Sequence, residues 1–222
     1  MESKNDTLKN RVAILGCGEL GLQAAHYLRL MNNGCNQYSQ IGWIDDVTPV
    51  GSVVAGLRVI GKSSDTEKLH NEGLFEYLFV AIGYNHLKAK KEIIERFKNR
   101  IPMLNIIAPS VYVDPSARLG ENLFFYPGAI IDKEAVINDG VILNLGSIVA
   151  HNSTIGMCSF LAPKSSVAGF SKIGNCSFIG TGATVIDNIE LCDSLKIGAG
   201  AVIVKDISVS GTYLGIPATL IK

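Results

Sequence analysis

From Val113 onward every sixth residue is large and apolar: Val113, Leu119, Phe125, Ile131, Ile137, Leu143, Val149, Ile155, Leu161, Val167, Ile173, Ile179, Val185, Leu191, Ile197 and Ile203. The residue two before each is mostly small, as in Ala129, Ala135, Ser147, Ser153, Ser159, Ser165, Ser171, Ser177 and Ala183, and glycine often follows the large residue, as at Gly156, Gly174 and Gly180. A six-residue period marks a parallel β-helix, in which each hexad is one side and three hexads close a triangular coil. The large residue fills the interior, the small one lets the chain turn the corner, and coils stack about 4.8 Å apart. No hexad is interrupted, so no loop projects to form a private pocket. Function then falls to the faces, the ends, or a groove between copies. The first domain is expected to cover the start of this prism and the tail Asp206 to Lys222 its end, because open sheet edges invite aggregation.

Before Pro109 the pattern is different. Short β-rich runs (Val12 to Leu15, Gln40 to Ile44, Tyr77 to Ile82, Met103 to Ile107) alternate with helical stretches (Leu20 to Met31, His86 to Lys98). This predicts a small α/β domain with a Rossmann-like parallel sheet of about four strands. Two domains follow, residues 1–108 and 109–222.

Lysine plus arginine and aspartate plus glutamate both number 20, so no overall field gathers nucleic acid or anionic membrane. Met1 to Asn10 is polar, and no stretch approaches the ~20 apolar residues of a membrane span. A cytosolic protein is expected. Cys17, Cys35, Cys158, Cys176 and Cys192 form no CxxC pair, which predicts reduced and mostly buried thiols.

His151 is the only histidine in the second half. It lies two positions after Val149, away from the interior, so packing does not explain it. Eighteen residues on, the stacked position is Gly169, which leaves bare backbone beside the imidazole. An imidazole with a pKa near 7 can serve as a general base, a role that contributes ~10²–10⁴ in rate. No Arg or Lys immediately flanks the histidine, so any anion formed beside it would have to be met by a backbone N–H. His26, His70 and His86 lie in the first domain, and no metal site is expected on the prism.

Gly16-Cys17-Gly18-Glu19-Leu20-Gly21 directly follows the strand Val12 to Leu15 and opens a helix, with Asp45 and Asp46 ending the next strand. Gly16, Gly18 and Gly21 let backbone approach a diphosphate at the helix amino terminus. The turn therefore points to a nucleotide phosphate, and the domain is about half the size of a normal dinucleotide fold. Gly83 and Asn85 stand at the next strand end, where ligands bind in open α/β sheets, or Asn85 caps an ordinary helix. Lys164, Lys172, Lys196 and Lys205 are candidates for phosphate contacts or are simply solvated.

The hexads, the glycine turn, the Asn-x-x-Ser-x-x-x-His segment Asn144 to His151, and Gly215-Ile216-Pro217-Ala218 resemble bacterial sugar acetyltransferases, over nearly the whole chain. That family includes sialic acid O-acetyltransferase and the nucleotide-linked 4-amino-sugar N-acetyltransferases. The resemblance implies a left-handed β-helix and a homotrimer, with acetyl-CoA as co-substrate in the groove between adjacent prisms. Ala162, Gly169, Thr181 and Ala199 would line the cofactor site, and the amino-terminal domain would hold the nucleotide-linked amino sugar rather than NAD, with the acid pair Asp45 and Asp46 near its base and ribose. His151 matches the family's general base and Asn144 an asparagine close to the acceptor, although Asn144 also fits an ordinary turn position. Asn152 stands where the family commonly has Glu or Asp to orient the ring; Tyr84 and Lys88 also depart from the pattern. The implied reaction is N-acetylation of a nucleotide-linked 4-amino-4,6-dideoxy sugar for a surface polysaccharide or glycan. The alternatives are O-acetylation of a sialic-acid-like sugar, or a non-catalytic nucleotide-binding trimer.

Overall fold

The computed structural model describes residues 10–32 and 37–221; the polar start before Asn10 and Cys35 lie outside the described residues. Packing divides the chain into two compact units, and the division is not a single cut. One unit runs through Ala81 and takes back Phe97–Leu104; the other combines Ile82–Arg96 with Asn105–Lys222. The segment around Gly83 and Asn85 therefore packs with the hexads.

In the first unit, β1 (Asn10–Leu15) lies between β2 (Tyr38–Ile44) and β5 (Tyr77–Val80), parallel to both. Val12 to Ile14 are completely buried, as a central strand covered on both faces requires. Helix α1 (Glu19–Met31) follows the glycine turn and buries Ala24, Ala25 and Leu28. A hairpin of β3 (Val53–Val54) and β4 (Leu57–Gly61) extends the sheet, giving five strands in the order β3-β4-β2-β1-β5. Its two turn residues, Ala55 and Gly56, both have positive φ, the geometry that matches the twist of paired strands. A short helix α2 (Thr66–Asn71) follows. The fourth strand expected at Met103 to Ile107 does not form. Met103 makes one isolated bridge to Leu78, and Ile106–Ile107 is instead the first strand of the prism, one hexad before Val113.

The second unit is a left-handed parallel β-helix. Two-residue strands pair in register 18 residues apart, and the second residue of each is the inward aliphatic or aromatic one. The first face carries Tyr112, Ile130, Ile148, Ser166, Thr184 and Val202 outward; the second carries Arg118, Val136, Thr154, Lys172 and Glu190; the third carries Ile106, Phe124, Ile142, Phe160, Phe178 and Lys196. After the segment Tyr84–His86, helix α3 (Leu87–Phe97) begins. Tyr84 lies against the stacked rings of Phe160 and Phe178 on the third face. The tail hairpin Thr212–Gly215 and Ala218–Ile221 extends that face beyond Lys196–Ile197. No described helix is long and apolar enough to cross a membrane.

Two devices hold the coils together. Every hexad from Asn122 to Gly200 turns through one residue in the left-handed region, and nine of these fourteen are not glycine: Asn122, Glu134, Asn152, Cys158, Lys164, Phe170, Cys176, Asn188 and Ser194. The conformation costs about 1–2 kcal/mol for an L-residue. It also aims the N–H at a carbonyl one coil back, as in Asn152 to Lys133 O at 2.9 Å. The small residues do more than turn the corner. Ser153, Ser159, Ser171 and Ser177 are fully buried, and Ser171 Oγ donates to Ile186 O at 2.8 Å while accepting from Ile189 N–H at 3.2 Å. The hydroxyls pair backbone groups that the tight corner leaves without strand partners.

Candidate active site

The segment between Val149 and Thr154 is the corner where the first face turns into the second, and His151 projects there, exposed. A Cβ built on Gly169, the stacked position, would lie 2.6 Å from the imidazole Cε1 and 2.8 Å from Nε2. The ring thus rests on bare backbone. Phe170 meets its edge with ring centroids 5.1 Å apart. Among the described residues the Gly169 N–H donates to no carbonyl or side chain, which leaves an unspent donor beside the ring.

Nδ1 of His151 lies 3.2 Å from Asn152 Oδ1. The Asn152 amide in turn donates to Glu134 Oε2 at 2.6 Å. That hydrogen bond, followed by the charge of Lys133, holds the Glu134 carboxyl below its ordinary range. Glu134 was not singled out from the sequence. The available signal was the coil period, since it stands 18 residues before Asn152.

The remaining prism residues do not join His151 on this corner. Asn144, Ala162, Thr181 and Ala199 lie on the opposite edge of the first face, where the third face turns into it. Thr181 and Ala199 are stacked 18 residues apart and exposed, whereas the Ala162 side chain is buried. Asn144 Oδ1 accepts from the Leu145 N–H at 2.7 Å, a local turn bond. The lysines also divide: Lys164 is on this edge, Lys172 is on the second face near Glu190, and Lys196 is on the third.

In the first unit the three fingerprint glycines separate by role. Gly16 has φ of +103°, and a Cβ there would meet Ala81 O at 2.8 Å; a Cβ on Gly21 would collide with Gly16 O. The fold needs both. Gly18 has ordinary φ and nothing within 4 Å of a Cβ, so packing does not explain it. Asp45 is committed to backbone: Oδ2 accepts from Cys17 N–H at 3.0 Å, and Oδ1 from Thr48 and Val47 N–H at 2.7 and 3.0 Å. Partial burial pushes this carboxyl up, and those N–H groups with the Cys17 thiol bring it down to about 2. Asp46 is exposed, with Oδ1 accepting from Ser63 N–H. In the second unit Gly83 is also unconstrained by packing, and precedes the turn Tyr84–His86; Asn85 is exposed and is not the cap.

A histidine-to-alanine variant of GDP-perosamine N-acetyltransferase from Caulobacter crescentus, in complex with CoA and GDP-perosamine, is 30% identical over 96% of this chain and 97% of that one, with a TM-score of 0.85. This chain belongs to the hexapeptide-repeat sugar N-acetyltransferases. The acetyltransferase domain of PglB from Neisseria gonorrhoeae, in complex with acetyl coenzyme A, is 28% identical over 96% of the acetyltransferase chain and all of its own, with a TM-score of 0.84. Residues 11–97 match the PglD N-terminal domain family. No curated protein sequence matches the acetyltransferase. Among its described residues, no three His, Cys, Asp or Glu side chains are grouped to hold a metal ion.

Proposed function

We propose that this acetyltransferase transfers the acetyl group of acetyl-CoA to the 4-amino group of a nucleotide-linked 4-amino-4,6-dideoxy sugar, in the cytoplasm, with His151 as general base. The observation that carries the reading is the imidazole on its corner: Nδ1 faces an acceptor, Nε2 is left to take a proton, and the Gly169 N–H stands unspent beside it. The amine attacks the thioester carbonyl and the C–N bond forms. His151 Nε2 takes the amine proton, the Gly169 N–H donates to the oxyanion, and the C–S bond then breaks to release the CoA thiolate, which the imidazolium protonates. No acyl-enzyme is formed.

Acetyl-CoA lies in a groove between copies of a homotrimer in this reading. Two features support it: the outward Tyr112, Ile130 and Ile148 of the first face are 54%, 40% and 38% exposed in one chain, an apolar strip that a second prism would cover. His151 and the column of Thr181 and Ala199 edge that same face from opposite sides, so a neighbour brings one edge against the other. The nucleotide sugar uses the Gly18 turn of the first unit together with Asp46. The Caulobacter relative holds CoA and GDP-perosamine with a histidine replaced by alanine or asparagine, as expected where a histidine serves turnover more than binding.

The test is His151→Ala assayed with acetyl-CoA and a panel of nucleotide-linked amino sugars. Turnover is expected to fall by ~10²–10⁴ while affinity for CoA and the sugar nucleotide is kept. Undiminished turnover overturns the general-base assignment.

A further inference from the structure

Glu134 stands one coil before the imidazole and does not touch it. We infer that Glu134 is a positioning residue that sets the tautomer of His151 through the carboxamide of Asn152. This rests on His151 acting as the base, and goes beyond it by naming what replaces the adjacent acid that Asn152 lacks.

Hydrogen-bond polarity carries the argument. An ionised carboxylate only accepts, so the 2.6 Å contact with Glu134 Oε2 must be made by the Asn152 NH₂. That fixes which way the amide faces. Its Oδ1 is then turned to the imidazole at 3.2 Å, and because an amide oxygen only accepts, Nδ1 must carry the hydrogen. Neutral imidazole has one N–H, so Nε2 keeps its lone pair for the incoming proton. A carboxylate two bonds removed thus does what a neighbouring carboxylate would do directly, and the imidazolium formed during turnover is paired with it through the amide.

The arrangement is built into the coil. Ser116, Glu134 and Asn152 are stacked 18 residues apart, and both Glu134 and Asn152 occupy the left-handed corner position, at φ of 56° and 58°. Glu134 N–H donates to Ser116 Oγ at 2.9 Å, and Ser116 Oγ donates to Asp114 Oδ1 at 2.6 Å. The other carboxylate oxygen, Oε1, lies 3.5 Å from Lys133 Nζ, which leaves Oε2 for the amide. A half-buried Asn with no partner would be free to flip its amide; this one is held at both ends.

The experiment combines ¹⁵N NMR of the acetyltransferase, with the His151 signal assigned by its loss in His151→Ala, and steady-state kinetics. The parent is expected to show the Nδ1–H tautomer. Glu134→Ala keeps a Cβ in the same backbone conformation; it is expected to mix the tautomers and to lower kcat about tenfold, a fraction of the ~10²–10⁴ a general base supplies, with KM values unchanged. Exchanging the two groups, Glu134→Gln with Asn152→Asp, sets a carboxylate directly on Nδ1 and an amide donor behind it. This pair is expected to restore the Nδ1–H tautomer and bring kcat back to within about threefold of the parent. An unchanged tautomer in Glu134→Ala overturns the inference, and so does a kcat loss that the exchanged pair fails to recover, since that is what a merely structural corner residue would give. The tautomer is read without turnover, so full activity in His151→Ala would remove the base assignment and leave the positioning of the ring standing.

Discussion

Gly169 and His151 are in van der Waals registry across one coil, with no room for a side chain between them: a Cβ at 169 would fall within 3.1 Å of three imidazole atoms. Gly169→Ala meets only the movable end of a side chain, so the prism is expected to fold with a Tm close to the parent's. The ring, however, must swing off its Asn152 contact. We expect kcat to fall about 10- to 100-fold, within the range a misplaced general base loses, and CoA affinity to fall as well, because the added methyl stands where the cofactor would pass. Thermal unfolding beside steady-state kinetics checks the separation.

The glycine fingerprint yields a contrast between two substitutions three residues apart. Gly21→Ala drives a methyl into Gly16 O, which backbone cannot avoid cheaply, and is expected to cost more than about 3 kcal/mol, as overpacking against main chain does. Gly18→Ala finds open space and is expected to leave stability within about 0.5 kcal/mol. If Gly18 is glycine because a phosphate approaches it, the second variant raises KM for the sugar nucleotide by about tenfold or more while kcat at saturation holds. Urea unfolding and a substrate titration of each variant give the answer.

Lys90 on α3 is fully buried, with its ammonium donating to Gly140 O at 2.8 Å. Burial lowers its pKa to about 8, and the Cys158 thiol gives no counter-charge at neutral pH because its own burial holds it near 12. The folded pKa lies below the unfolded value, so the charged form is penalised in the folded state at pH 7. As pH climbs from about 8 towards 10.5 the folded chain sheds the proton first and gains stability. Lys90→Met lacks that gain. It also leaves a carbonyl unpaired at about 1–3 kcal/mol, so the diagnostic is slope: the stability difference between parent and Lys90→Met should shift in the parent's favour from pH 8 to pH 10 in paired urea titrations. A constant difference would show that Lys90 does not titrate in this window.

The prism was legible because its period is enforced atom by atom: each interior residue has a neighbour 18 positions away, and a single slip would turn the core outward. The first sheet's central strands were legible for a similar reason, as Val12 to Leu15 must be covered on both sides. What the pattern did not carry was the hairpin Val53–Val54 and Leu57–Gly61, too short for an alternation to register, and the fate of Ile106–Ile107, whose β-rich text suits either sheet. At the candidate site His151 and Gly169 were found by counting along one coil. Glu134 was missed because it follows Lys133 as one more exposed acidic residue, and only the same count taken backwards from Asn152 gives it a role. Asp45 was read as a ligand group, yet its oxygens face three N–H groups of its own unit, a pairing that strand spacing does not reveal.

That pairing makes a prediction for acid stability. Asp45 ties the Cys17 N–H of the glycine turn to the end of β2, and its carboxyl, ordinarily at 3.8, is lowered to about 2. The folded pKa is depressed, so the stabilisation is complete above the unfolded value and drains away as pH falls from about 4 towards 2. Partial solvent access reduces it to on the order of 1–2 kcal/mol. Asp45→Asn loses this contribution at every pH, because one end of the amide turns its own hydrogens towards backbone donors. Its urea midpoint at pH 7 should therefore fall, and the gap to the parent should close between pH 4 and pH 2. Since the freed turn is the one that carries Gly18, KM for the sugar nucleotide should rise in the same variant; a loss of stability with KM unmoved would mean that the turn keeps its shape without the carboxylate, and that the phosphate is held elsewhere.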